Sequence, residues 1–467
     1  MGVNRAIDRV GVVFALLFLL LGVRAVWVQV VAGPRIAADP HNPRRMLLGR
    51  YRGDILARDG TVLARATDRG RTYPFGAELA HAVGYASLRY GTSGIERAFD
   101  AVLSAPAPGL DPLSQIVTLF GVPRGVRPTR GGDVITTIDP ATQAALFSAL
   151  GAYRRAAGVV LDPRTGEVLA LASVPAFDPA AIDGEFAALA RDPASPLLDR
   201  ATDGLYPPGS TFKIFTAAAA LDSGTISPDD EFEDPGFFAV GSFVVHDNEG
   251  EATGRQNLAG AFALSSNVDF AQIALRLGND RWFDYARRFA LDAPAHFTLP
   301  VAPDHLPSPG SVTPSILAQL AFGQADLLVT PLRMALMGAT VAHGGVEPRP
   351  TLVRGVRSAS GIVTFEPHAT LAAPIGVDTA AQVRDLMIAA VVRGTGTAAA
   401  LPGVQVAGKT GTATNPAGSA HAWFVAFAPA DAPRIALAVI VENGGYGGDV
   451  AAPIARRVLA VALHRTS

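Results

Sequence analysis

Apolar and polar positions change texture along the chain, and each change marks an element. Val10 to Gly33 is a nearly unbroken apolar run, VGVVFALLFLLLGVRAVWVQVVAG, interrupted by Arg24 and Gln29. As a helix it spans about 36 Å, against a hydrocarbon core of roughly 30 Å, so a membrane-spanning segment is predicted over 10–33. Asp39–Pro43 (DPHNP) is turn chemistry and reads as a linker. Arg50–Arg65 and Tyr73–Leu103 mix short apolar runs with Gly and Pro, which suits a small extended domain. Val134–Thr137 reads as a strand. Pro140–Arg154 reads as a helix, with Pro in its first turn and a stripe at Ala141, Ala145, Leu146 and Leu150. From Ala156 a hairpin is predicted, Gly158–Leu161 and Val168–Ser173 about the turn Asp162–Gly166. Ala422–Ala428 and Ile435–Glu442 are further β-rich runs, followed by a helical pattern over Val450–His464. Between them lie helical patterns at Ser210–Leu221, Ala259–Gly278 and Thr379–Val392. Strands at both ends with helices between predict an antiparallel sheet carrying helices, an α+β fold. The chain divides as a short N-terminus over 1–9, an anchor over 10–33, a small domain over 34–155 and a large domain over 156–467.

Composition narrows the class. The 467 residues include 39 basic and 41 acidic ones, a formal net charge of −2, which argues against nucleic acid as a ligand. With 49% hydrophobic and 17% charged residues, wholesale disorder is excluded. The length allows two to four domains. Absence of cysteine removes disulfides, thiolate zinc sites and a Cys nucleophile. Arg5 and Arg9 precede the apolar run, so the positive-inside rule puts the N-terminus in the cytoplasm and the rest outside. A cleaved signal peptide is the rival reading, since Gly11–Val23 has h-region length and Val30–Ala32 loosely fits a cleavage site. Continued apolar character past Arg24 favours the uncleaved anchor, with Arg24 snorkelling outward or meeting a neighbouring helix.

Two motifs mislead. Gly403–Thr410 matches the phosphate-loop pattern G-x-x-x-x-G-K-T. Leu401-Pro402 stands where a strand is needed, and Gly411 and Asn415-Pro416 break the helix that must follow. Gly394-Thr-Gly396-Thr-Ala-Ala399 mimics a dinucleotide fingerprint but follows a helical pattern. No close histidine pair appears, so neither a metal nor another cofactor is expected.

The informative set is Ser210-x-x-Lys213, Ser265-x-Asn267 and Lys409-Thr410-Gly411. Tyr206-Pro-Pro-Gly209 is a stiff turn ending just before Ser210, which places that hydroxyl at a helix start, where free N–H groups favour a developing oxyanion. Lys213 projects from the same helical face, and a desolvated lysine beside a second cation can act as a base near neutral pH. The bland alternative makes Ser210 an N-cap and Lys213 a solvated charge. Ser265-Ser266-Asn267 inside an apolar helical stretch is either a helix break or a buried polar cluster. Ser265 would relay a proton and Asn267 would hold the lysine and a substrate amide. On a strand edge, Lys409 and Thr410 would bind a substrate carboxylate, and Gly411 would let a peptide lie close.

These motifs, in this order, resemble those of penicillin-binding proteins and serine β-lactamases. Tyr206-Pro-Pro-Gly-Ser-Thr-Phe-Lys213, Arg200-Ala201, Gly323-Gln324, Thr330-Pro331, Gly394-Thr395-Gly396, Gly408-Lys-Thr-Gly-Thr-Ala413 and His421-Ala-Trp-Phe424 are similar to compact, PbpA-like class B penicillin-binding proteins. Arg52-Gly53-x-Ile55, Arg58-x-Gly60, Gly94-Ile95-Glu96 and Thr137-Ile138-Asp139 resemble that family's pedestal, although Ala57 stands where many relatives have Asp. The resemblance implies a transpeptidase domain on a pedestal behind one anchor helix. It also implies a D,D-transpeptidase that cross-links peptidoglycan and reacts with β-lactams. By position, Ser210 would be the nucleophile and Lys213 its base. Ser265 and Asn267 would be the second motif. Lys409, Thr410 and Thr412 would hold the D-alanine carboxylate, with the Ser210 and Thr412 N–H groups as the oxyanion hole. The implied partners are stem peptides, lipid-linked glycan strands and a SEDS-type glycosyltransferase, because nothing between the anchor and Ala156 reads as a polymerase. A D,D-carboxypeptidase and a non-catalytic penicillin-binding scaffold are the alternatives.

Overall fold

The structure, a computed structural model, describes residues 2–27, 51–68, 70–104, 130–247, 250, 252–358, 360–415 and 418–465. The N-terminal helix Gly2–Val26 exposes its apolar side chains from Val10 onward. Among the described residues no helix is long and apolar enough to cross a membrane. The predicted span of 10–33 is helical through Val26, and its residues 28–33, like the linker at 39–43, lie outside the described ones.

The small domain is built on a six-stranded sheet. Its strand order is Val363–Phe365, Val353–Arg357, Asp133–Thr136, Ile55–Leu56, Val62–Thr67 and Gly70–Thr72. Arg52, fully buried, donates from Nε to Glu96 at 2.5 Å and from Nη1 to Asp100 at 2.6 Å, while Arg71 meets the other Glu96 oxygen at 2.6 Å. Two of the motifs quoted from the sequence, Arg52-Gly53 and Gly94-Ile95-Glu96, are thus halves of one buried ion-pair network. Gly53 is required by contact: a Cβ there would sit 1.7 Å from the Gly132 carbonyl oxygen.

Segments cross between the small and large domains in both directions. Val353–Arg357 pairs antiparallel with Asp133–Thr136, although it lies far along the chain. Pro140–Leu150, capped by the Asp139 side chain accepting from Thr142 N at 2.8 Å, buries Leu146 and Leu150 against the large domain's sheet. That helix stops at Leu150, short of the predicted Arg154, because Gly151 follows.

The large domain holds a five-stranded antiparallel sheet. Its order is Ala407–Ala413, His421–Ala428, Ile435–Val441, Ala156–Leu161 and Val168–Val174. Every residue of the three inner strands is buried. Helices cover both faces, which explains why these strands read as continuous apolar runs rather than alternating ones. Gly447–Arg465 and Pro140–Leu150 pack on one face, and Pro331–Ala342 with the helix Lys213–Asp222 on the other. Lys213 to Leu221 are buried on all sides, so this is the domain's central helix.

Candidate active site

The chain enters the site through Tyr206-Pro207-Pro208. Tyr206 Oη donates to Glu442, just past the strand Ile435–Val441, at 2.8 Å, and Trp423 Nε1 donates to the Pro207 carbonyl at 3.0 Å, tying this turn to the sheet. Gly209 takes φ +55°, and Gly323, at φ +72°, lies so close that a Cβ on it would be 2.3 Å from the Gly209 oxygen. Only glycine meets both demands there. Ser210 lies in the 3₁₀ turn Gly209–Phe212, one residue block before the α-helix begins at Lys213. It caps nothing, and Lys213 is fully buried rather than solvated, so neither bland alternative describes them.

Ala259–Gly278 is both of the things its sequence allowed. Leu258–Leu264 ends where Ser265 turns left-handed at φ +66°, and Asn267–Leu277 restarts with Ser266 accepting from Asp269 N at 3.0 Å. The reversal aims Ser265 and Asn267 inward. Lys213 Nζ donates to the Ser265 carbonyl at 2.5 Å, to Ser265 Oγ at 3.2 Å and to Asn267 Oδ1 at 2.9 Å. From the other side, Lys409 Nζ donates to Ser265 Oγ at 2.8 Å and to the Thr410 carbonyl at 3.2 Å. One hydroxyl therefore lies between two buried amines. Ser210 lines the cleft beside them, but among the described residues its hydroxyl makes no hydrogen bond, and Lys213 Nζ spends its hydrogen bonds on Ser265 and Asn267 of the second motif.

Burial governs both amines. It lowers Lys213 from its ordinary value to about 7, against the raising influence of Asp247, Asp269 and Asp234. Lys409 is pushed well below its ordinary range, first by burial and then by the charge of Lys213. Burial and the like charge of a neighbouring amine both favour a neutral nitrogen here. That is the chemistry of an activated hydroxyl.

Lys409, Thr410 and Gly411 lie on the edge strand Ala407–Ala413, and a helix does not follow, so the phosphate-loop match is a coincidence of letters. Thr410 and Thr412 line the cleft, which encloses about 770 Å³. Thr410 Oγ1 is 2.5 Å from Thr395 Oγ1, and Thr412 Oγ1 accepts from Gly447 N at 3.3 Å. Gly411 has a further neighbour, within the chain itself. A Cβ there would meet the Pro208 oxygen and Thr211 Cγ2 at 2.9 Å, so what approaches is the chain's own turn bearing Ser210. The glycine joins the first motif to the third.

Some residues of the cleft escaped notice. Thr395 and Gln324, whose side chain accepts from Thr414 at 2.6 Å, sit in segments quoted for the family resemblance without a role. Val244, Leu264 and Tyr446 give the rim exposed apolar surface. Asp247 had no sequence signal, since it stands in a loop and acts on residues some twenty positions on. Among the described residues no cluster of His, Asp and Glu is arranged to hold a metal ion.

Comparison with known proteins gives the same picture. The model of the penicillin-binding protein transpeptidase domain matches residues 156–460, and that of the penicillin-binding protein A dimerisation domain matches 52–119. The chain belongs to the penicillin-binding protein transpeptidases. It is 38% identical to the peptidoglycan D,D-transpeptidase PbpA of Mycobacterium tuberculosis, over 98% of this chain and 99% of that one. It is 30% identical to the Escherichia coli peptidoglycan D,D-transpeptidase MrdA, over 81% of this chain and 69% of that one. Among solved structures, M. tuberculosis penicillin-binding protein A as a ceftriaxone acyl-enzyme superposes with a TM-score of 0.80 at 34% identity, covering 89% of this chain and 99% of that one. The D,D-transpeptidase domain of an Eggerthella lenta peptidoglycan glycosyltransferase gives 0.80 at 35% identity, covering 90% and 99%.

Proposed function

We propose that the protein is a peptidoglycan D,D-transpeptidase of the PbpA-like, class B type, working through an acyl-enzyme on Ser210. The observation that carries this reading is the Ser265 hydroxyl held at 3.2 and 2.8 Å from two buried lysine amines in the cleft that Ser210 lines.

Ser210 Oγ adds to the penultimate D-alanine carbonyl of a stem pentapeptide while Lys213 Nζ accepts its proton. The Ser210 and Thr412 N–H groups receive the oxyanion. Collapse expels the terminal D-alanine, whose amine takes a proton delivered through Ser265 Oγ. The ester is then attacked by the amine of a second stem; an amide forms, Ser210 regains its proton and the two strands are joined. The leaving D-alanine carboxylate lies against Lys409, Thr410 and Thr412. Arrival of that anion raises the proton affinity of Lys409 and so restores its charge when substrate binds.

The apolar run from Val10, preceded by Arg5 and Arg9, supports a single-pass anchor with the cytoplasm on its N-terminal side and the catalytic domain outside. Arg24 has a partner within its own helix, its guanidinium carbon 4.6 Å from the Trp27 ring centroid. That pair would sit at the outer interface or against a SEDS-type glycosyltransferase, the partner we propose for making the glycan strands.

The test is turnover. Purified protein given a stem pentapeptide and a labelled D-amino acid should release D-alanine and incorporate the label, and Ser210→Ala should do neither. Release without incorporation would make it a D,D-carboxypeptidase; binding without release would make it a scaffold.

A further inference from the structure

Three carboxylates converge on Lys213 from three elements, and one of them, Asp247, also lines the cleft. Asp234 ends the strand Glu231–Asp234, Asp247 follows the strand Phe243–His246, and Asp269 is in the first turn of Asn267–Leu277. Asp234 and Asp269 are fully buried. Asp247 Oδ1 accepts from the backbone N–H groups of Asn267 and Val268, the second at 3.1 Å. The adjacent His246 carbonyl accepts from Asn267 Nδ2 at 3.0 Å. Asn267 is thus gripped by this loop on one side and presents Oδ1 to Lys213 on the other.

The other oxygen of Asp247 decides the protonation of the group. Oδ2 is buried and has no donor among the described residues; it faces Asp234. Asp234 already accepts from Gly236 N at 2.8 Å and Thr253 Oγ1 at 2.5 Å, which favours its ionised form. Where these two carboxyls meet, one shared proton relieves their repulsion, and burial together with Asp234 puts it on Asp247, whose Oδ2–H donates to Asp234.

We propose that Asp247 is a positioning residue for acylation: its Oδ1 clamps the start of the Asn267–Leu277 helix and thereby holds Asn267 on Lys213. This rests on the function proposed above. The neutral form matters because an ionised Asp247 would add negative charge near Lys213 and keep that amine protonated. The groups facing the pair are Lys213 from the central helix, Asp269 from its own helix and His246 from the preceding strand, with Lys409 beyond Lys213 on the edge strand. Burial and Asp234 raise Asp247 to about 7, the range in which Lys213 also titrates.

Asparagine is the test, since it copies a protonated aspartic acid: Oδ1 still accepts both N–H groups and Nδ2 donates to Asp234. Acylation by benzylpenicillin is followed against pH for wild type, Asp247→Asn and Asp247→Ala, with melting temperatures measured alongside. Asp247→Asn should acylate within about threefold of wild type through the acid limb below pH 7, where Asp247 is protonated and asparagine copies it. Asp247→Ala should be slower by about a hundredfold, the scale of a one-ångström misplacement. An asparagine variant about a hundredfold slower than wild type, or a folded alanine variant as fast as wild type, overturns the proposal. The asparagine profile decides even if the alanine variant does not fold. If wild type is not acylated at all, it is the functional reading that fails, and this one with it.

Discussion

The rate of acylation should depend on pH through Lys213. The amine acts as a base only when neutral, and burial brings its ordinary value of 10.5 down to about 7. The sign is therefore fixed: acylation rises with pH through neutrality and levels off above it. At pH 5 about one molecule in a hundred has a neutral amine, and at pH 7 about half do, so the rate should climb about fiftyfold between them. Stopped-flow acylation with a fluorescent penicillin measures this, with melting curves at each pH to show that the fold persists. Lys213→Arg supplies the contrast. Arginine stays charged, so the limb should vanish and the rate should lie about 10²–10⁴-fold below the wild-type plateau. A wild-type profile that is flat from pH 5 to 8, in folded protein, would refute Lys213 as the base.

Other expectations follow from packing and topology. Gly411→Ala forces a Cβ to within 2.9 Å of the Pro208 oxygen and should push the Ser210 turn aside. Acylation should fall about a hundredfold while stability falls by only about 1–3 kcal/mol, read by penicillin labelling beside thermal melts. Arg52→Ala removes one of the two guanidinium partners of the buried Glu96, leaving Arg71 alone with it, and should destabilise by about 3–5 kcal/mol in denaturant titrations. Protease added to intact spheroplasts should digest the domain carrying Ser210 and leave an N-terminal fragment in the membrane; a protected domain would contradict the outward topology.

Much of the fold is legible in the sequence, for a physical reason. Strands such as His421–Ala428 and Ile435–Val441 are buried on both faces, so they stand out as unbroken apolar runs. The polar interruption at Ser265–Asn267 shows because it falls inside an apolar helical pattern. The pedestal is harder. Val363–Phe365 is wholly exposed and Val353–Arg357 is half-buried with two arginines, so neither carries a hydrophobic signature, and only the fold brings them to Asp133–Thr136. At the site, spacing brings out Ser210, Lys213, Ser265, Asn267 and Lys409 as candidates because each motif is local. One reason for Gly411 is not local: a Cβ there would meet the Pro208 oxygen in a turn some two hundred residues earlier, a contact that spacing along the chain does not show. Asp247 is silent for the same reason, since its partners lie on other elements and a lone loop aspartate has no pattern.

The central claim is that Ser210 is the acylated nucleophile of this cleft, and mass spectrometry tests it directly. Intact protein incubated with benzylpenicillin should gain the mass of one whole β-lactam, because opening the ring expels nothing. Digestion should place that adduct on the peptide containing Ser210, and Ser210→Ala should remain unmodified. An adduct on another residue, or a Ser210→Ala protein that still gains the mass, would contradict the account.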